Sequence, residues 1–194
     1  MDFDLAAAVF AGSMLRLAAP LLLAATGELV SERAGVLNMS VEGMMLTGAF
    51  AGAVASWATG SPWWGLLAGV LAVLPVALLQ AWLSITLRAN QIVTGIGINI
   101  LVLGATTLGY RALFGSRSRA EIPGLDKWAP PGLADIPLLG EHVFHQTWLL
   151  YLAVVLVIAV AWVMRSTALG LAVHAAGTAP QAAANSGLKV TRIR

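Results

Sequence analysis

Long stretches without charge constrain this chain more than any other feature. From Ala34 to Leu87 the only charged side chain is Glu42, and none occurs from Ala89 to Tyr110 or from Gln146 to Met164. A membrane-crossing helix needs about 20 mainly apolar residues, and each stretch can supply one or more. Charged residues make up 10% of the chain, against about 25% in soluble domains. The mean hydropathy is +0.84. A soluble fold would need several helices apolar on every face, with no polar stripe to meet water. The expected fold class is therefore all-α, a polytopic transmembrane helix bundle with the lipid bilayer as its solvent.

Five spans are predicted: Leu5 to Gly27, Val36 to Ala58, Pro62 to Leu87, Gln91 to Phe114 and Gln146 to Met164. Ser61-Pro62 is an N-cap followed by proline at the first helical position. Trp63, Trp64, Tyr110, Trp148, Tyr151 and Trp162 lie where aromatic belts form. Gly115 to His145 is a long loop, since Pro123, Pro130, Pro131 and Pro137 with Gly124, Gly132 and Gly140 forbid one continuous helix. The N-terminus reads Met1-Asp2-Phe3-Asp4, without the basic start of a cleavable signal. Arg33, Arg88, Arg165, Lys189, Arg192 and Arg194 fall on one side of the bilayer, and Arg111, Arg117, Arg119 and Lys127 on the other. The excess favours an outside N-terminus.

Two domains are expected. Residues 1–165 form the membrane core, with the loop at about 115–145 outside, and residues 166–194 form a small, polar, basic cytoplasmic segment. In that segment Thr178-Ala179-Pro180-Gln181 has the form of a capping box, with Thr178 at the N-cap and Gln181 at N3. Ala182, Ala183 and Ala184 favour helix, and Gly187 is placed to end it. A helix of roughly eight residues is expected.

Two polar clusters are candidate parts of a solute path. In Gly35-Val36-Leu37-Asn38-Met39-Ser40-Val41-Glu42-Gly43, Asn38 could cap a helix starting at Met39, with Glu42 near its positive end. Such breaks occur beside substrate paths in transporters. The alternative is that the span begins near Gly43 and leaves Asn38 and Glu42 at the wet interface. On the fourth span Gln91, Thr94, Gly95, Ile98 and Asn99 share one helical face. That face either offers hydrogen bonds to a hydroxylated solute or serves close helix packing through Gly95 and Asn99. Arg16, inside the first span, either faces a protein partner or marks an interfacial helix.

Several functions find no support in the residues. No cysteine is present, and His142, His145 and His174 share no metal-ligand spacing with a carboxylate cluster. No metal, catalytic residue or cofactor is expected. The chain has no glycine-rich phosphate loop with which to bind ATP itself. The scattered basic residues do not form a nucleic-acid footprint.

A family resemblance is carried by Leu21-Leu22-Leu23-Ala24-Ala25-Thr26-Gly27-Glu28, Ser31-Glu32-Arg33-Ala34-Gly35-Val36-Leu37-Asn38 and Glu42-Gly43-Met44-Met45-Leu46. It continues through Gln91-Ile92-Val93-Thr94-Gly95, Asn99-Ile100-Leu101, Ile136-Pro137-Leu138-Leu139-Gly140 and Gly177 to Gly187. In this order they resemble permeases of ATP-binding-cassette importers of the ribose and branched-chain-amino-acid type, above all those for simple sugars and nucleosides. The resemblance implies a multi-pass protein of the bacterial inner membrane that lines part of a solute path. It implies a separate cytoplasmic ATPase, a second permease subunit, identical or different, and an extracytoplasmic solute-binding protein as partners. It also implies that Thr178, Pro180, Gln181, Ala183, Ala184 and Gly187 belong to a helix docking on the ATPase. The family motif Gly-Glu-Asn-Pro stands here as Gly177-Thr178-Ala179-Pro180, without its acid. Family members are longer, so the chain is expected to be an N-terminal portion. Alternatives are a branched-chain amino acid importer, an ATP-independent channel or carrier, a membrane-embedded enzyme built on Glu42, and a structural subunit lining no path.

Overall fold

The computed structural model describes residues 3–115, 121–129 and 143–194. The expectations for Arg117, Arg119, Pro130, Pro131, Gly132, Pro137, the segment Ile136 to Gly140 and His142 lie outside the described residues. Eight α-helices occur among the described residues: α1 (Phe3–Arg33), α2 (Val41–Thr59), α3 (Pro62–Ala81), α4 (Gln91–Phe114), α5 (Trp148–Ser166), α6 (Ala168–Thr178), α7 (Pro180–Asn185) and α8 (Val190–Ile193). A two-residue antiparallel ladder pairs β1 (Lys127–Trp128) with β2 (Gln146–Thr147). The protein is an all-α polytopic membrane bundle.

Four helical segments are long and apolar enough to cross a membrane: Leu5–Arg33, Pro62–Thr86, Gln91–Phe114 and Trp148–Ser166. The fifth expected span is also a helix, α2. It falls short of that apolarity because Glu42 and many small residues stand where large apolar ones would face lipid. Its neighbours are α3 and α4. Gly52 and Gly65 bring the backbones of α2 and α3 together, since a Cβ on Gly65 would lie 2.7 Å from the Gly52 carbonyl oxygen. Small residues at such contacts gain dispersion energy that lipid cannot match. Near the C-terminal end of α2, Trp57 meets Phe114 of α4 edge-on at 5.2 Å.

The helix ends follow local chemistry with some shifts. α1 runs past its expected end at Gly27 through Glu28 and Glu32 to Arg33. Asn90 caps α4, its Oδ1 accepting from the Ile92 and Val93 amides at 3.0 and 3.3 Å. Ahead of it, α3 widens into a π-helical turn over Trp82–Thr86, and Arg88 takes φ +49°. Thr167 ends α5 in extended backbone, and its Oγ1 accepts from the Gly170 amide at 3.3 Å, starting α6.

The tail departs from expectation in its helices. Helix α6 occupies much of the segment read as polar and continues through Thr178, so the capping box does not form. Ala179 takes the N-cap position, Pro180 is N1, and Gln181 moves up to N2. The alanine-rich run from Ala168 carries Thr178 into the last turn of α6, where its hydroxyl lies 3.5 Å from His174 Nδ1. Helix α7 has six residues. Gly187 closes it at φ +88°, with the Gly187 amide donating to Ala184 and the Leu188 amide to Ala183.

Two compact units are present. The first comprises residues 1–27 and 125–171. There Gln146, 2% exposed, donates from Nε2 to the Gly12 carbonyl at 3.2 Å and accepts from Arg16 Nε at 3.5 Å. Arg16 thus meets a protein partner. Trp128 stacks edge-on against Tyr151. The second unit comprises residues 28–124 and 172–194 and contains every candidate functional residue.

Candidate functional site

The seven-residue connection 34–40 between α1 and α2 is irregular backbone among apolar helices. Buried peptide groups of such a segment need partners. Side chains of α1, α4 and the connection itself supply several of them, and the α1 backbone supplies others. The Leu37 amide donates to Gln91 Oε1 at 2.7 Å and the Asn38 amide to Glu28 Oε1 at 2.8 Å. Ser31 Oγ donates to the Val36 carbonyl at 2.8 Å. The Asn38 side chain accepts from the Ser40 amide and hydroxyl at 3.1 and 2.7 Å. Asn38 therefore organises the turn before α2 instead of capping a helix at Met39. The helix starts at Val41, and Ser40 at its N-cap position makes no side-chain cap.

Asn99 ties three parts together. Its Nδ2 donates to the Met39 carbonyl at 2.9 Å, and its Oδ1 accepts from the Gly43 amide at 2.8 Å in the first turn of α2. Both ends of the amide are engaged. Gly95, one turn earlier on the same face of α4, lies against Met39. A Cβ there would stand 2.4 Å from Met39 Cβ and 2.8 Å from its carbonyl carbon. Helical spacing brought Gln91, Gly95, Ile98 and Asn99 onto one face, and that face packs on connection 34–40 and the start of α2. Thr94 bonds back to its own helix at Asn90 and Gln91. Glu42 is exposed in the first turn of α2 and has no hydrogen bond among the described residues.

Sequence reasoning did not single out Glu28, Ser31 and Ser40 as supports of this connection. The available signal was a polar residue on the α1 face at Glu28 and Ser31, close to Gly35. Glu28 Oε2 is buried and makes no hydrogen bond among the described residues.

On α7, Gln181, Ala182, Ala184 and Asn185 are exposed, whereas Ala183 is 5% exposed and faces inward. The Schellman closure at Gly187 leaves the outer face free of its own chain.

Residues 10–194 match the family described as the branched-chain amino acid transport system permease component. The chain belongs to that family. Among relatives of this permease chain, the guanosine ABC transporter permease NupQ of Bacillus subtilis is 34% identical over 100% of this chain and 63% of its own length. The putative glucose ABC transporter permease TsgC13 of Haloferax volcanii is 38% identical over 97% of this chain and 57% of its own. The nucleoside ABC transporter permease NupC of Lactococcus lactis is 33% identical, with 96% and 61% covered. This permease chain thus spans about three-fifths of the length of the curated relatives it matches. No solved structure matches it. Family membership and the four spanning-length segments make it a multi-pass protein of the bacterial inner membrane.

Proposed function

We propose that the chain is part of a permease subunit of an ATP-binding-cassette importer, lining a path for nucleosides or simple sugars. The observation that carries this is the match, over nearly the whole chain, to permeases named for guanosine, nucleosides and glucose. Those names favour hydroxylated solutes over branched-chain amino acids. A separate ATPase supplies the driving force, a second permease completes the path, and an extracytoplasmic binding protein delivers the solute.

Within the path Asn38, Glu42, Gln91, Thr94 and Asn99 have different duties. Asn38, Gln91 and Asn99 hold connection 34–40 and shape the wall. Glu42 is the acceptor left available for solute hydroxyls, at the start of α2. In Glu42→Gln, uptake in membrane vesicles is expected to fall while stability changes by no more than about 1 kcal/mol, the size of a carboxylate–dipole contact at a helix start. Unchanged uptake removes Glu42 from the path.

The helix around Pro180, with Thr178, Gln181, Ala183, Ala184 and Gly187, docks on the ATPase. Its small exposed residues fit a shallow socket, and a rigid-body push on it passes to the spans. Ala184→Glu keeps good helix propensity and adds bulk and charge to the exposed face. It is expected to abolish co-purification of the ATPase and ATP-driven uptake from an otherwise folded permease. Undiminished association and uptake would remove α7 from that role.

A further inference from the structure

The C-terminal ends of α1 and α6 meet within the second unit. Gly177, in the last turn of α6, lies against the end of α1, where a Cβ would stand 2.2 Å from the Arg33 carbonyl oxygen and 3.0 Å from the Gly35 amide nitrogen. Gly35, at φ +85°, faces it, and a Cβ there would lie 3.1 Å from Gly177 Cα. Backbone leaves no room for a side chain at Gly177, and the left-handed φ of Gly35 disfavours one there.

Two converging helix C-termini bring unpaired carbonyls and two negative dipole ends together. A cation at such a point offsets the repulsion, and Arg194, just beyond α8, supplies one beside Arg33 in the last turn of α1. Arg194 Nε donates to the Ala34 carbonyl at 3.0 Å, and its Nη2 donates to the Ala176 carbonyl at 3.1 Å. A planar guanidinium can serve two acceptors at once; an ammonium on a flexible stem holds them less well. Nearby, Arg33 Nη1 lies 3.3 Å from His174 Nε2.

This joint brackets α7. The chain enters α7 directly from Gly177 and Thr178, and it returns through α8 to Arg194. On its far side the joint is continuous with connection 34–40, which Glu28, Gln91 and Asn99 hold.

We infer that Arg194 and the Gly35–Gly177 contact form a rigid transmission joint that ties the ATPase-docking segment to connection 34–40, so that movement of α7 reaches the path wall through the α1–α2 turn. The inference rests on the docking reading of α7. Arg194 is a positioning residue in this scheme: it touches no solute and carries force between elements.

The test uses the complete permease, assembled with its ATPase and second permease in vesicles, and reads solute uptake and ATP hydrolysis together. In Arg194→Ala, uptake per ATP hydrolysed is expected to fall about tenfold, the loss associated with charge-assisted hydrogen bonds. Arg194→Lys should restore part of it. A ratio equal to that of the unaltered permease in Arg194→Ala overturns the inference. These 194 residues contain no cysteine, so a pair introduced among them can be bridged selectively once any cysteine elsewhere in the assembly is replaced. Arg33→Cys with His174→Cys, bridged by a short bismaleimide, is expected to keep uptake, because a rigid joint moves as one piece. Loss of uptake on bridging overturns the rigid joint. Failure of the ATPase to co-purify with the unaltered permease defeats the docking reading itself, an outcome that does not depend on Arg194.

Discussion

Gly95→Val is expected to destabilise the folded chain by about 2–3 kcal/mol, in the upper range for overpacking a close-packed contact. Thermal unfolding in detergent measures it. Adding a Cβ at a free helix position normally stabilises by about 1 kcal/mol, so the expected sign is reversed. The reason is backbone: all three nearest atoms to a Cβ at Gly95 belong to Met39, and two of them are main-chain atoms that no rotamer change can move. Connection 34–40 would have to lift from α4, taking with it the bonds from Leu37 and Met39. Gly97, two residues on, has nothing within 4 Å of its Cβ position. Gly97→Ala is therefore the control, expected to be neutral or stabilising. A Gly95→Val protein as stable as Gly97→Ala would show that α4 and Met39 do not pack as described.

Asn99→Leu is expected to cost about 1–3 kcal/mol, the penalty for leaving one buried main-chain donor without a partner, with the exposed Met39 carbonyl adding little. The orphaned groups are the Met39 carbonyl and the Gly43 amide, which flank the start of α2. Gly43 is buried, so water does not readily replace the amide. Hydrogen exchange at Gly43 and its neighbours, measured beside global unfolding, separates local fraying of α2 from general loss of stability. Protection at Gly43 equal to that of the unaltered protein would contradict the role given to Asn99. These effects are structural, and they explain why uptake measured on Asn99 variants must be normalised to folded protein before it informs on the solute path.

Much of the fold was legible. The fourth span was read as Gln91 to Phe114 and forms over those residues, because Asn90 is a strong local cap and Pro-Gly punctuation begins soon after Phe114. Gly187 was placed at the end of α7 for the same kind of reason: a left-handed backbone there admits glycine with least strain. α6 was not read, although Thr167 ahead of Ala168-Leu169 is an N-cap signal. The run behind it is short, and the tail was judged by its polar average. The capping box at Thr178 failed for a related reason. A local motif competes with the helix already running into it, and α6 won.

The candidate path shows the same limit. Helical spacing placed Gln91, Gly95 and Asn99 on one face of α4, but it left open whether a solute or a polypeptide lies there. The structure puts Met39 and Leu37 against that face. No periodicity in the sequence carries that pairing, because connection 34–40 is irregular and distant along the chain.

What the sequence determined alone was the solvent and the elements. A chain with so few charges is stable only in hydrocarbon, and hydrocarbon permits only structures that satisfy their own peptide groups, hence helices of spanning length. The tertiary structure decided the tasks of the polar side chains within those helices. An amide on a helix bonds to whichever peptide group packing brings within about 3 Å, and packing alone brought the backbone of the α1–α2 turn to Gln91 and Asn99.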